Sequence, residues 1–249
     1  MQERENKTAL ALLAHPDDAE FLCAGTLIRL ARTGWQVHIA TATAGDCGTM
    51  TESPSEISAT RTGEAVRSAA LIGATYHCLD EQDGFVVYDK PTLRKAIDLF
   101  RRVAPSLALT HAPKDYMMDH EMTSLLARAA SFIYDAPNVS SYSRLESSTV
   151  PYFYYCDPVE GTDPLGNRVS PTTYVDIGDQ LERKTQMLAT HASQREWLRA
   201  HHGCDEYLDA MKRHATMRGG EAGCNVAEAF VQHRGHPYPA DDILANLLG

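Results

Sequence analysis

Over the first 135 residues of this 249-residue chain, short apolar runs alternate with segments of helical period, and that alternation leaves few folds open. Thr8 to Ala14 (TALALLA) has the length and continuity of a strand buried on both faces. From Asp18 to Arg32 the apolar residues Phe21, Leu22, Leu27, Ile28, Leu30 and Ala31 recur at helical spacing, and Thr33-Gly34 supplies a stop. Further strands are expected at Gln36 to Thr43, Thr75 to Leu79 and Leu107 to Thr110. Helices are expected from Glu56 to Ile72, from Leu93 to Val103 and from about Asp119 to Tyr134. Strands and helices in this order build a mostly parallel sheet with helices on both faces, an α/β fold.

The second half is less regular. Val150 to Cys156 and Thr172 to Ile177 read as strands, and Gln180 to Ala200 reads as one helix with Lys184, Met187, Leu188 and His191 along a side. Residues 201–224, with the polar pair His201-His202, give no clear element, and the tail mixes a short helical stretch with an HPYP turn. There is no linker, repeat or low-complexity segment, so residues 1–249 are expected to form a single domain with an irregular C-terminal extension.

Composition narrows the function classes. The chain holds 33 Asp and Glu against 23 Lys and Arg, a formal charge of −10, which argues against a nucleic-acid or anionic-membrane binder. No stretch approaches the roughly 20 apolar residues that span a bilayer, and no signal-peptide core fits the start. The six cysteines are scattered without a CxxC pair, so a zinc ribbon or disulfide framework is not expected, and free thiols point to the cytoplasm.

In parallel sheets ligands bind beyond the carboxyl ends of the strands. The segments HPDD, AGDCG, DEQDG and HAPKD each follow an expected strand, so loops rich in Asp, His and Gly converge on one edge. In His15-Pro16-Asp17-Asp18 an imidazole and a carboxylate three residues apart can bend round one cation, with Asp18 also a plausible helix N-cap and Pro16 stiffening the turn. Asp17, between them, is placed to hold a metal-bound water. A capped turn with a surface histidine is the plainer reading of such an HxxD. After the fourth strand, His120 at the opening of the next helix faces the same edge. His15, Asp18 and His120 then make a two-histidine, one-carboxylate set that suits zinc in a hydrolase and also non-haem iron.

AHPDDAEFLCAGTLIRLARTGWQV, TATAGDCG, Arg61 in the following helix, Asp83-Gly84 and DYMMDHEMT together resemble the LmbE-like / PIG-L family of zinc de-N-acetylases. Ser193-Gln194 and AEAF at Ala227 to Phe230 fit the family's order more weakly, and the resemblance covers most of the chain. It implies a Rossmann-like fold, with Zn2+ held by His15, Asp18 and His120 and with Asp17 as general base. It also implies that Arg61 touches substrate, though a solvated helix arginine is an equally good reading. Asp46 is expected to support His15 or to line a sugar pocket, and Tyr116 to donate to an oxyanion. Cys47 follows Asp46 but has no base assigned to it.

One departure matters. Many members carry HxDH, whose first histidine stabilises the oxyanion or protonates the leaving amine; here that position is Met117, which cannot donate a proton. His111 is the first candidate to replace it, with His191 and His236 as others, and Asp17 itself can carry the proton from water to amine. The reaction implied is metal-assisted hydrolysis of an acetamide, the substrate a small N-acetylglucosamine-type sugar or conjugate. An amidase on another N-acyl compound and a non-catalytic small-molecule binding protein are the alternatives. A nucleotide-dependent redox enzyme is disfavoured by the lack of GxGxxG. The resemblance leaves open a homo-oligomer, trimer or hexamer.

Overall fold

The computed structural model describes residues 7–140, 150–202 and 206–248, without the side chains of 200–202, so the expectation for His201-His202 lies outside the described residues. The chain runs β1 (Thr8–Leu13), α1 (Asp18–Leu22), α2 (Ala24–Arg32), β2 (Gln36–Thr43), α3 (Pro54–Ala70), β3 (Thr75–Glu81), α4 (Lys90–Val103), β4 (Leu107–Thr110) and α5 (Met118–Ile133). The second half adds β5 (Tyr152–Cys156), β6 (Thr173–Asp176), α6 (Leu181–Ala189), α7 (Ala192–His202), α8 (Tyr207–Ala222), β7 (Ala227–Gln232) and α9 (Ile243–Leu248). Among these helices none is long and apolar enough to cross a membrane.

The seven strands form one sheet in the order β3-β2-β1-β4-β5-β7-β6. Every pairing from β3 across to β5 is parallel, and β7 runs antiparallel to both of its neighbours. Because β2 and β4 lie on opposite sides of β1, the crossovers diverge there, and the gap between the carboxyl ends of β1 and β4 is the sheet's switch point. Alternation along β1 divides the core. Ala9, Ala11 and Leu13 pack with α1, α2 and residues of α6, α8 and α9, while Leu10 and Leu12 face α4 and α5. Each fully buried leucine there contributes about 1.5–3 kcal/mol.

Several expectations need correction. The helix expected from Asp18 to Arg32 is two helices, broken at Cys23 (φ −143°). The cause is remote: Glu228 of β7 accepts the amides of Gly25 and Thr26 at 2.8 and 2.7 Å, capping a new helix start. Likewise the helix expected over Gln180 to Ala200 breaks between α6 and α7, where Glu64 of α3 accepts the Ser193 amide and hydroxyl. The polar stretch 201–224 contains α8, and the tail holds, besides its short helix α9, a strand β7 that the sequence did not announce. Asp18 is the first residue of α1, not its cap; Asp17 takes the cap position and makes no side-chain capping bond.

Candidate active site

The turn after β1 brings its polar groups back on themselves. The His15 amide donates to Asp18 Oδ2 at 2.7 Å, and the Asp18 amide to the His15 carbonyl at 3.3 Å. Asp17, pinched between them, has φ 107° and ψ −24°, a left-handed conformation that costs a non-glycine residue about 1–3 kcal/mol. The turn sets the Asp18 carboxylate against His15 at the switch point and the Asp17 carboxylate against Arg61.

His15, Asp18 and His120 come together there. Asp18 Oδ2 lies 3.3 Å from His15 Nδ1 and 3.7 Å from His120 Nε2, and one ligand atom from each residue falls within 4.8 Å of the other two. A tetrahedral ion with bonds of about 2 Å sets its ligands roughly 3.3 Å apart. The remaining nitrogens are held from behind. His120 Nδ1 is 2.9 Å from Asp115 Oδ1, and His15 Nε2 is 3.1 Å from Asp83 Oδ1 and 3.4 Å from Asp119 Oδ2. Each imidazole thus presents one nitrogen to the common centre and fixes its ring with the other, the arrangement metal-binding histidines adopt. Burial works against protonating these rings, yet the carboxylates of Asp119, Asp18 and Asp83 hold His15 well above its ordinary pKa, and Asp18 and Asp115 raise His120. Five carboxylates (Asp17, Asp18, Asp83, Asp115, Asp119) crowd a space bordered by the Arg61 guanidinium. That excess of negative charge and the aimed nitrogens fit a divalent cation.

The loops supporting these carboxylates are laced together. Asp119 accepts the amides of Gly84 and Val86, Asp46 accepts the Asp83 amide at 2.7 Å, and the Cys47 thiol donates to the Asp83 carbonyl. Asp46 therefore reaches His15 only through Asp83. Arg61 is buried beneath the turn. It donates to the Pro16 carbonyl at 2.9 Å and the Gly45 carbonyl at 3.3 Å, and lies 3.6 Å from Asp17 Oδ2. A Cβ on Gly45, whose φ is +71°, would sit 2.3 Å from this guanidinium, so the loop needs glycine there.

Burial pushes the Asp17 carboxyl up to about 6, against the pull of Arg61 and with the push of Asp18. The Tyr207 hydroxyl, at the start of α8, also engages this carboxylate. His191 lies fully buried, 3.2 Å from Glu20 Oε1 and close enough to Asp17 to feel its charge. His111 is fully buried too, stacked on the His120 ring at 3.8 Å between centroids. Its Nε2 is 3.1 Å from Asp18 Oδ2 and 3.0 Å from the Ala14 amide, and burial together with His120 depresses its pKa to about 4. Tyr116 stands edge-on to His120 at 5.2 Å, largely exposed.

The structure therefore brings His15, Asp17, Asp18, His111, His120, Arg61 and Tyr116 to one place, with Asp46 one residue removed. His236 is not among the residues that touch this centre. Asp115, Asp119 and Asp83 lay inside the quoted motifs, but nothing local pairs them with particular imidazole nitrogens. Tyr207 comes from a stretch the periodicity could not place, and no sequence signal marked it.

Known proteins resemble the chain in sequence and in fold. The family model described as PIG-L, GlcNAc-PI de-N-acetylase, matches residues 10–131, which hold HPDD, Arg61, Asp83 and Asp119-His120. A 4-oxalmesaconate hydratase of Pseudomonas putida is 27% identical over 230 residues, 88% of this chain and 83% of that protein. A diacetylchitobiose deacetylase of Thermococcus kodakarensis is 27% identical over 202 residues, 76% of this chain and 70% of that protein. The N,N'-diacetylchitobiose deacetylase structure from Pyrococcus horikoshii superposes with a TM-score of 0.78 at 23% identity, covering 96% of this chain and 89% of that one, a likeness of fold. With the matched motifs on the fold's switch point, residues 10–131 form a domain of the PIG-L, or LmbE-like, family.

Proposed function

We propose that this protein is a zinc-dependent hydrolase that removes the acetyl group from the amide of an N-acetylglucosamine-type sugar or conjugate. The observation that carries the reading is the convergence of His15, Asp18 and His120, one ligand atom of each within 4.8 Å of the others, next to the buried carboxyl of Asp17. Asp18 is held well below the ordinary range, burial notwithstanding, by His120, His111 and His15, whereas burial raises Asp17 to about 6. An ionised ligand beside a carboxyl that titrates near neutrality is the pairing metal-assisted hydrolysis requires.

His15, Asp18 and His120 would hold the ion. When bound, zinc lowers the pKa of a coordinated water toward ~7 and polarises an acyl oxygen. Asp17, kept in place by Arg61 and Tyr207, accepts the water proton as the oxygen attacks the acetamide carbon. Tyr116 donates to the oxyanion from the open side. With Met117 unable to act as an acid, Asp17 returns its proton to the departing amine, and water plus amide leave as acetate and free amine. His111 holds Asp18 in place; its full burial under His120 keeps it from the substrate.

A second reading, addition of water to a carbon–carbon double bond, is favoured by the similarity to the Pseudomonas hydratase. Both reactions begin with the same water and the same base, and differ in the carbon attacked. Incubating zinc-loaded protein with N-acetylglucosamine conjugates and, separately, with unsaturated carboxylic acids decides between them. The deacetylase reading predicts acetate and amine in equal amounts. Loss of an unsaturated acid's absorbance, with no acetate from any acetamide, would overturn it in favour of the hydratase.

A further inference from the structure

The loops that supply the polar floor of the site also carry exposed apolar side chains, a candidate rim. Met50 follows β2, Phe85 follows β3, and Tyr116 and Met118 follow β4, each between 64% and 74% exposed. These side chains ride on pinned backbone. Phe85 lies between the two residues, Gly84 and Val86, whose amides clasp Asp119, and Val86 itself is buried against Ala42 and Leu126. Tyr116 rests edge-on against His120. The loop carrying Met50 is tied to the loop carrying Phe85 through Asp46 and Cys47 on Asp83. Large apolar side chains left in water on ordered loops fit a binding surface where they lie together, and here Tyr116 packs on His120, Met118 is two residues from His120, and Phe85 is two residues from Asp83, the partner of His15.

We propose that the rim binds the part of the substrate beyond its acetamide, and that this part is apolar or aromatic and uncharged: the substrate is an amphipathic N-acetyl conjugate rather than a bare acetamido sugar. This rests on the deacetylase reading of the floor and adds the class of group the conjugate carries. Small-molecule sites are built this way, with apolar walls above a few placed polar groups. Charge excludes an anionic body. Asp46, Asp83 and Asp119 lie under the rim, and the Arg61 guanidinium is engaged by Pro16, Gly45 and Asp17. Covering roughly 60 Å² of a phenyl ring, at about 25 cal/mol/Å², corresponds to about tenfold in affinity.

The test measures binding apart from turnover. Zinc-loaded Asp17→Asn protein is titrated calorimetrically with N-acetylglucosamine and with its phenyl glycoside, and the titrations are repeated with Phe85→Ser and Met118→Ser added. The phenyl glycoside should bind about tenfold tighter, and the added substitutions should bring the ratio below threefold while thermal melts confirm folding. Equal affinities, binding of neither compound, or a ratio that survives the substitutions overturns the proposal. So does a sedimentation result in which the substitutions dissociate an oligomer and leave the ratio intact, because the rim then faces a second copy. Acetate release by the unaltered protein is followed in parallel. A phenyl preference without acetate from either compound refutes the reaction and leaves the rim's role standing; acetate without a phenyl preference does the reverse.

Discussion

Asp17 and Asp18 share a peptide bond and little else. Asp18 faces three imidazoles that favour its anion; Asp17 faces a buried space that does not, relieved only in part by Arg61 and Tyr207. Asparagine at 17 keeps the shape and removes the base, so Asp17→Asn should retain one equivalent of metal by elemental analysis while acetate release falls about 10²- to 10⁴-fold. The carboxylates behind the histidines give a second expectation. Asp83→Asn replaces the acceptor nearest His15 Nε2 and should weaken metal binding about 10- to 100-fold, measured by competition with a chelating dye. An unchanged affinity would mean that Asp119 alone orients the ring. At this scale the sequence was legible where a motif sits on a single turn, as in His15 to Asp18. It was not legible where the partner is another loop, as with Asp83 for His15 or Tyr207 for Asp17.

Helix starts in this fold are set from a distance. α2 begins where Glu228 of β7 accepts two of its amides and the Thr26 hydroxyl, and the same carboxylate pairs with Lys184 of α6, which also donates to the Phe21 carbonyl. This pair is almost wholly buried. Lys184→Met therefore strands a carboxylate and should cost about 3–5 kcal/mol in denaturant unfolding, and Lys184→Met with Glu228→Gln should recover part of that. A double variant no more stable than the single one would show that the carboxylate's bonds to α2 matter more than its charge. The remoteness of such caps also explains the uneven legibility of the elements. β1, β2 and β4, with the helices between them, announce themselves through local period and stop signals. The breaks at Cys23 and before α7 depend on Glu228 and Glu64, some 200 and 130 positions away, and helical periodicity runs straight through them. The place of β7 between β5 and β6 is equally non-local, because six residues of AEAFVQ carry no record of their neighbours.

For the molecule as a whole, the sheet's order matters most. Diverging crossovers place the turn after β1 beside the loop after β4, and everything proposed about the site follows from that meeting. The opposite edge has its own pH sensitivity. His38 of β2 and His77 of β3 stack at 5.2 Å and share an Nδ1–Nε2 contact of 3.0 Å. Burial, His38 and Arg102 push His77 down to about 4, below its ordinary 6.5. A histidine whose folded pKa is depressed supports stability above 6.5 and withdraws that support as pH falls toward 4. The urea midpoint should therefore drop more steeply between pH 7 and pH 5 in the unaltered protein than in His77→Asn, and parallel curves would contradict this.

The central claim, a divalent ion held by His15, Asp18 and His120 with Asp17 as its base, meets its most direct test in metal removal and return. Protein stripped with a chelator and refilled in steps with zinc should regain acetate release in proportion to metal, reaching a plateau at one ion per chain. His120→Ala should neither hold the ion nor regain activity under the same refilling. Acetate release that persists after complete stripping, or a full equivalent of tightly held zinc in His120→Ala, would contradict the account.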